Sequence, residues 1–126
     1  MALNLTDREA DLMRVLWEHG ASGVAEVRAH LDDPLARNTV LTMLRILEAK
    51  GFVSHESIGR SHRYFAVVPE RAARKNAVRH LIGKMFRGSA ELLCAQLVLD
   101  EMLSAKEIER LRGLISKSQR KAGEKR

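Results

Sequence analysis

The spacing of apolar positions opens the chain on a helix. Leu12, Met13, Leu16 and Trp17 recur at the three- and four-residue intervals that place side chains on one helical face. Thr6-Asp7-Arg8-Glu9 precedes them as a capping box, in which the Thr6 hydroxyl accepts from the amide of Glu9 and Glu9 reaches back to the cap. Gly20 ends the run. Ser22 predicts the cap of a short second helix with Val24, Val27 and Leu31 inward, stopped before Asp32-Asp33-Pro34. A third helix is predicted over Arg37–Lys50, with Val40, Met43, Leu44 and Leu47 on its buried stripe and Gly51 as its stop. The period then changes from helical to alternating. Phe52–Ser57 and His62–Val67 read as two short strands around Ile58-Gly59-Arg60-Ser61, a hairpin with a glycine turn. After Pro69 the helical period returns over 70–86, Ser89–Leu99 and Ser104–Lys117, and Ser104-Ala105-Lys106-Glu107 is a second capping box.

Three helices followed by a two-stranded hairpin is the element order of a winged helix-turn-helix domain. The expected fold class is therefore mostly α with a small β-hairpin. A winged-helix DNA-binding domain over residues 5–68 is followed by a three-helix dimerisation region over 69–117 and a basic flexible tail over 118–126.

Composition narrows the function. With 45% hydrophobic and 30% charged residues the 126-residue chain is globular, and with 4% aromatics its core must be aliphatic. One cysteine excludes a disulfide framework and any multi-cysteine metal cage from a single chain; Cys94, beside Leu92, Leu93 and Leu97, is expected as a buried thiol. No run of 18 apolar residues and no charged-then-apolar opening are present, so a cytoplasmic protein is expected. His19, His30, His55, His62 and His80 are scattered, and neither a glycine-rich phosphate loop nor a facing carboxylate pair exists. Catalysis, a cofactor and a bound metal are accordingly not expected.

The net charge of +6 is unevenly spread: residues 1–68 carry 8 Lys+Arg against 9 Asp+Glu, and residues 69–126 carry 14 against 7. Within the first part the signs separate. Acids crowd the opening stretch, whereas Arg37, Arg45, Lys50, Arg60 and Arg63 fall in the third helix and hairpin, as a groove-facing module requires. Arg37, Asn38, Leu41, Thr42 and Arg45 share the face of the third helix opposite its apolar stripe. Arg can pair with guanine, Asn with adenine, and Thr or Leu can touch a thymine methyl. The Thr39 hydroxyl and the helix N-terminal amides suit phosphate, and Arg60, His62 and Arg63 equip the wing. Double-stranded DNA is the expected partner.

These residues also carry a resemblance. Leu5-Thr6, Glu9, Leu16-Trp17, Asn38-Thr39-Val40, Thr42, Leu44, Leu47, Lys50-Gly51-Phe52, Gly59-Arg60, Tyr64 and Ser104-x-x-Glu107-Ile108 together resemble the penicillinase/methicillin repressor family (BlaI/MecI/CopY) across residues 5 to 117. The resemblance implies a dimeric repressor on an inverted-repeat operator, with a C-terminal dimerisation region. It also implies release through cleavage triggered by a membrane sensor. The chain departs from the pattern at Leu41, where β-lactam-linked members carry a basic residue, and at Ile46, where Arg is usual. The copper branch's cysteine pair and the methicillin-type Asn-Phe cleavage site are both missing. A cut within Leu99–Leu103, between the last two helices, would serve instead.

In the C-terminal part, Leu81, Met85, Leu93, Leu97, Ile108, Leu111, Leu114 and Ile115 are expected at a two-fold homodimer interface, because so much apolar surface has so little intrachain cover. The basic helix bearing Arg71, Arg74, Lys75, Arg79, Lys84 and Arg87 either lies near DNA backbone or is solvated. Two rival readings share this element order. A ligand-gated winged-helix regulator would need a cavity in the dimer region, and a winged-helix protein-interaction adaptor would show no salt-steep DNA binding.

Overall fold

In the computed structural model, which describes residues 4–124, the Thr6 hydroxyl accepts from the Glu9 amide at 3.2 Å and the Glu9 carboxylate accepts from the Thr6 amide at 2.8 Å. Helix α1 (Asp7–His19) thus starts where the capping box puts it, and ends at Gly20 with φ +78°. It buries Leu12, Met13, Val15 and Leu16. Trp17 is half-buried beside that stripe, and its indole Nε1 donates to the Val68 carbonyl at 2.9 Å.

Helix α2 (Val24–Ala29) is capped by Gly23, not by Ser22 as predicted. Ser22 is used elsewhere. Its backbone exchanges two 2.8 Å hydrogen bonds with Tyr64, its hydroxyl donates to the Gly20 carbonyl, and it is buried. A pairing 42 residues away in sequence outranks the local capping signal.

Helix α3 (Arg37–Ala49) buries Val40, Leu44 and Leu47 and is followed by Gly51 at φ +86°, where a side chain would be strained. Strands β1 (Val53–Ile58) and β2 (Ser61–Ala66) pair antiparallel in a register running from Val53↔Ala66 to Ile58↔Ser61. The core draws on α1, α2, α3 and the hairpin, closing over Phe52, Val53 and Tyr64. Each such side chain contributes about 1.5–3 kcal/mol on burial. That packing fixes the exposed face of α3 relative to the wing.

The chain divides into two compact units, one ending at Leu81 and the other beginning at Ile82. Helix α4 (Glu70–Met85) passes from one to the other, with Ala73 packed on the first unit's core. In the second unit the Ser89 hydroxyl caps α5 (Ala90–Leu99), accepting from Leu92 at 3.0 Å. The Ser104/Glu107 box opens α6 (Ala105–Glu124) with bonds of 2.9 and 3.1 Å.

The structure departs from two further expectations. The basic stretch from 118, read as a flexible tail to 126, continues α6 through Glu124; it is rich in Lys, Arg, Gln and Ala, all good helix formers, and contains no proline. Residues 125–126 lie outside the described residues. Cys94 is exposed rather than buried. Among the described residues no helix is long and apolar enough to cross a membrane.

Candidate nucleic-acid interface

Three positions of α3 face outward together because its apolar stripe is committed to the core. Asn38, Thr42 and Arg45 are exposed at its centre, Arg37 and the half-buried Leu41 turn toward the hairpin, and the exposed Thr39 and Ile46 lie on the opposite flank. A groove of about 690 Å³ runs between α3 and the hairpin, lined by Arg37, Leu41, Arg45 and Glu48 on one side and by His55, Ile58, Arg60, His62, Arg63 and Tyr64 on the other. The N-terminal residues of α2 close its end.

The start of α3 differs electrically from the other helix starts of this unit. Helix α1 has a Thr cap with Asp7 and Glu9 in its first turn, and α2 has Glu26. Helix α3 follows Ala36, has no side-chain cap and no acid in its first turn, and begins with a cation, Arg37. The free amides and the positive end of the helix dipole therefore lack a complement within the first turn. An external anion supplies one, and phosphate suits the geometry.

Nine of the ten expected DNA contacts, Arg37, Asn38, Thr39, Leu41, Thr42, Arg45, Arg60, His62 and Arg63, lie on α3 and the wing. Lys50 does not join them. Its Nζ sits 2.7 and 2.9 Å from the two carboxylate oxygens of Glu9 and 3.4 Å from the Asn4 carbonyl, so it ties the end of α3 to the start of α1. Its charge is spent on a buried carboxylate. Arg63 is also engaged, donating to Glu26 at 3.0 Å and to the Ala21 carbonyl, and so braces the wing against the approach to α2. Arg37, Arg45 and Arg60 have no ion-pair partner among the described residues. Glu48 and His55 also line the groove without being among the expected contacts, and the Glu48 carboxylate lies 2.7 Å from His55 Nδ1. The phase of α3 and the turn at Gly51 into β1 bring them together, seven residues apart in sequence.

Of the expected dimer-forming residues, Leu93, Leu97 and Ile108 are half-buried. Leu81, Met85, Leu111, Leu114 and Ile115 are exposed, Met85 at 69% and Leu114 at 62%. Leu111, Leu114 and Ile115 stand with Ile108 on the apolar side of α6 at spacings of three and four.

Comparison with known proteins adds two kinds of likeness. A family described as penicillinase repressor matches residues 5–117. The chain is 24% identical over 116 residues to the methicillin resistance regulatory protein MecI of Staphylococcus aureus (strain N315), covering 90% of this chain and 94% of that one. It is 25% identical over 109 residues to the penicillinase repressor of Bacillus licheniformis, covering 85% of each. Among solved structures it is similar to the hsRosR-S4 complex structure (TM-score 0.57, 16% identity, 96% of this chain and 95% of that one). It is also similar to a MarR family protein from Bacillus stearothermophilus (TM-score 0.51, 17% identity, 96% and 77%). The structural likenesses agree with the winged-helix fold.

Proposed function

The chain belongs to the penicillinase repressor family, and from that premise we propose that it is a transcriptional repressor that binds an inverted-repeat DNA operator as a homodimer. The observation that carries the reading is the face of α3: exposed Asn38, Thr42 and Arg45 beside an uncapped, acid-free helix start and an arginine-tipped wing. On this reading α3 enters the major groove, where Asn38 and Arg45 meet base edges, and Thr39 and Arg37 meet phosphate. Arg60 at the wing turn grips the flanking backbone, and Arg63 holds the wing in place. The apolar side of α6 joins two copies. Like the DNA it binds, the protein would work in the cytoplasm.

Release by proteolysis fits one feature. Within Leu99–Leu103, the exposed Asp100–Met102 stretch follows the end of α5 and is a segment a protease can enter, and a cut there would detach the α6 stripe. A membrane sensor/protease system as its trigger is what the family resemblance suggests.

The test begins with selection of bound duplexes from a randomised pool, followed by titration at rising salt. Affinity should fall steeply with salt because several phosphates are neutralised. No enrichment over random DNA, or a flat salt response, would remove the repressor reading. On the selected duplex, Arg45→Ala and Asn38→Ala should each lose about 1–3 kcal/mol of discrimination at particular base pairs. Arg60→Ala should weaken all sequences alike and reduce the salt slope by about one unit. Reversed results, with Arg60→Ala changing preference and Arg45→Ala not, would exchange the roles of helix and wing.

A further inference from the structure

The groove between α3 and the wing holds a pair, Glu48 and His55, that base reading and phosphate gripping do not use, beside the wing residue His62. His55 Nδ1 lies 2.9 and 2.7 Å from the two Glu48 carboxylate oxygens. An ionised carboxylate only accepts, so Nδ1 carries its hydrogen and the ring's proton exchange is expressed at Nε2, on the edge away from Glu48. His62 stands edge-on to His55 with ring centroids 4.6 Å apart, and its own Nδ1 lies 3.5 Å from Ser57 Oγ. The hairpin register puts both rings on one face, since His55 pairs with Tyr64 and Ser57 with His62.

The other charged groups around the pair are accounted for. Arg37 and Arg45 come from α3, Arg60 from the wing turn, and Glu26 from α2, where Arg63 neutralises it. Glu56 stands on the opposite face of the hairpin, across from Arg63. The Tyr64 ring lies 5.3 Å from His55. Of the two acids lining the groove, Glu26 therefore meets a permanent cation and Glu48 meets only an imidazole.

Resting on the DNA-binding reading above, we propose that the groove takes up protons at His55 and His62 when a DNA phosphate enters it, which makes operator affinity rise as pH falls. With His55 neutral, a phosphate meets the Glu48 charge and the bare Nε2 lone pair, and both repel it. With His55 protonated, the Glu48 charge is cancelled and Nε2 becomes a donor. A proton on His62 adds a second cation on the same wall. Two imidazolium rings this close repel each other, and an anion between them offsets that repulsion.

The experiment uses the 126-residue chain and the duplex selected from the randomised pool, at constant ionic strength, between about pH 8 and about pH 6, the range in which imidazoles exchange protons. Affinity should rise by roughly tenfold per pH unit for each proton taken up. The His55→Gln/His62→Gln double variant should flatten that response. Glu48→Gln should bind more tightly than the wild type at about pH 8 and respond less to pH. A bracing role alone predicts the reverse, weaker binding by Glu48→Gln at every pH. Selective binding that is flat across the range, or a slope unchanged in the double variant, overturns the proton linkage and leaves the repressor reading standing. Absence of selective binding at any pH overturns both.

Discussion

Lys50→Met should destabilise the N-terminal unit by about 2–3 kcal/mol, less than the roughly 3–5 kcal/mol that breaking a fully buried ion pair costs, because Lys50 is partly exposed. The Glu9 side chain is 6% exposed and that of Lys50 is 27%. Without the ammonium, Glu9 would be a buried carboxylate held only by the Thr6 amide. Urea unfolding measures the loss. Glu9→Gln added to Lys50→Met should restore part of it, because glutamine keeps the capping box and removes the stranded charge. If Lys50→Met were as stable as the wild type but defective on DNA, Lys50 would be a phosphate ligand after all.

The same pair sets an acid limit. Burial works to raise the Glu9 pKa, but the hydrogen bond from Lys50, the Thr6 amide and the attraction of the ammonium outweigh it, so the carboxyl lies below its ordinary value of 4.5. A group depressed in the folded state stabilises fully above its unfolded value and loses that contribution as pH falls through the folded one. Stability should therefore drop below pH 4.5, and less steeply in Glu9→Gln.

Glutamates in place of Leu114 and Ile115 should make the protein monomeric and weaken binding to the selected duplex by about 10²-fold or more, the loss of effective concentration when linked sites are separated. Both side chains are more than half exposed in the single chain, 62% and 57%, so the substitutions remove little intrachain packing and leave every proposed DNA contact in place. Sedimentation and titration of the same preparation give both readouts. A variant that stays dimeric would move the interface off α6. One that becomes monomeric without losing affinity would show that each winged unit binds alone.

Local chemistry made most of the fold legible. Thr6 and Glu9 announce α1, Gly51 stops α3, and the alternation around Gly59 gives the hairpin. Within the N-terminal unit the departures share a cause, which is pairing between residues far apart in sequence. Ser22 looks like a helix cap until Tyr64 claims its backbone, and Lys50 looks like a groove cation until Glu9, 41 residues earlier, claims its charge. Arg63 carries the right charge in the right strand, yet Glu26 and Ala21 engage it. The Glu48–His55 pair spans only seven residues, but the change from helix to strand between them hides which faces meet. Periodicity fixes which face a residue occupies but says nothing of what stands opposite.

The Trp17–Val68 hydrogen bond gives the molecule a built-in optical reporter. Trp17 is the sole tryptophan, half-buried in α1, and its indole N–H is held by a backbone carbonyl two residues before α4 begins. Indole emission shifts red when the ring is passed from protein to water. Its wavelength therefore records whether the segment leading into α4 is docked on α1. The remaining lumiphores, one tyrosine and three phenylalanines, emit too far to the blue to obscure it. Loosening of that junction can thus be followed in unlabelled protein, separately from the loss of the helices.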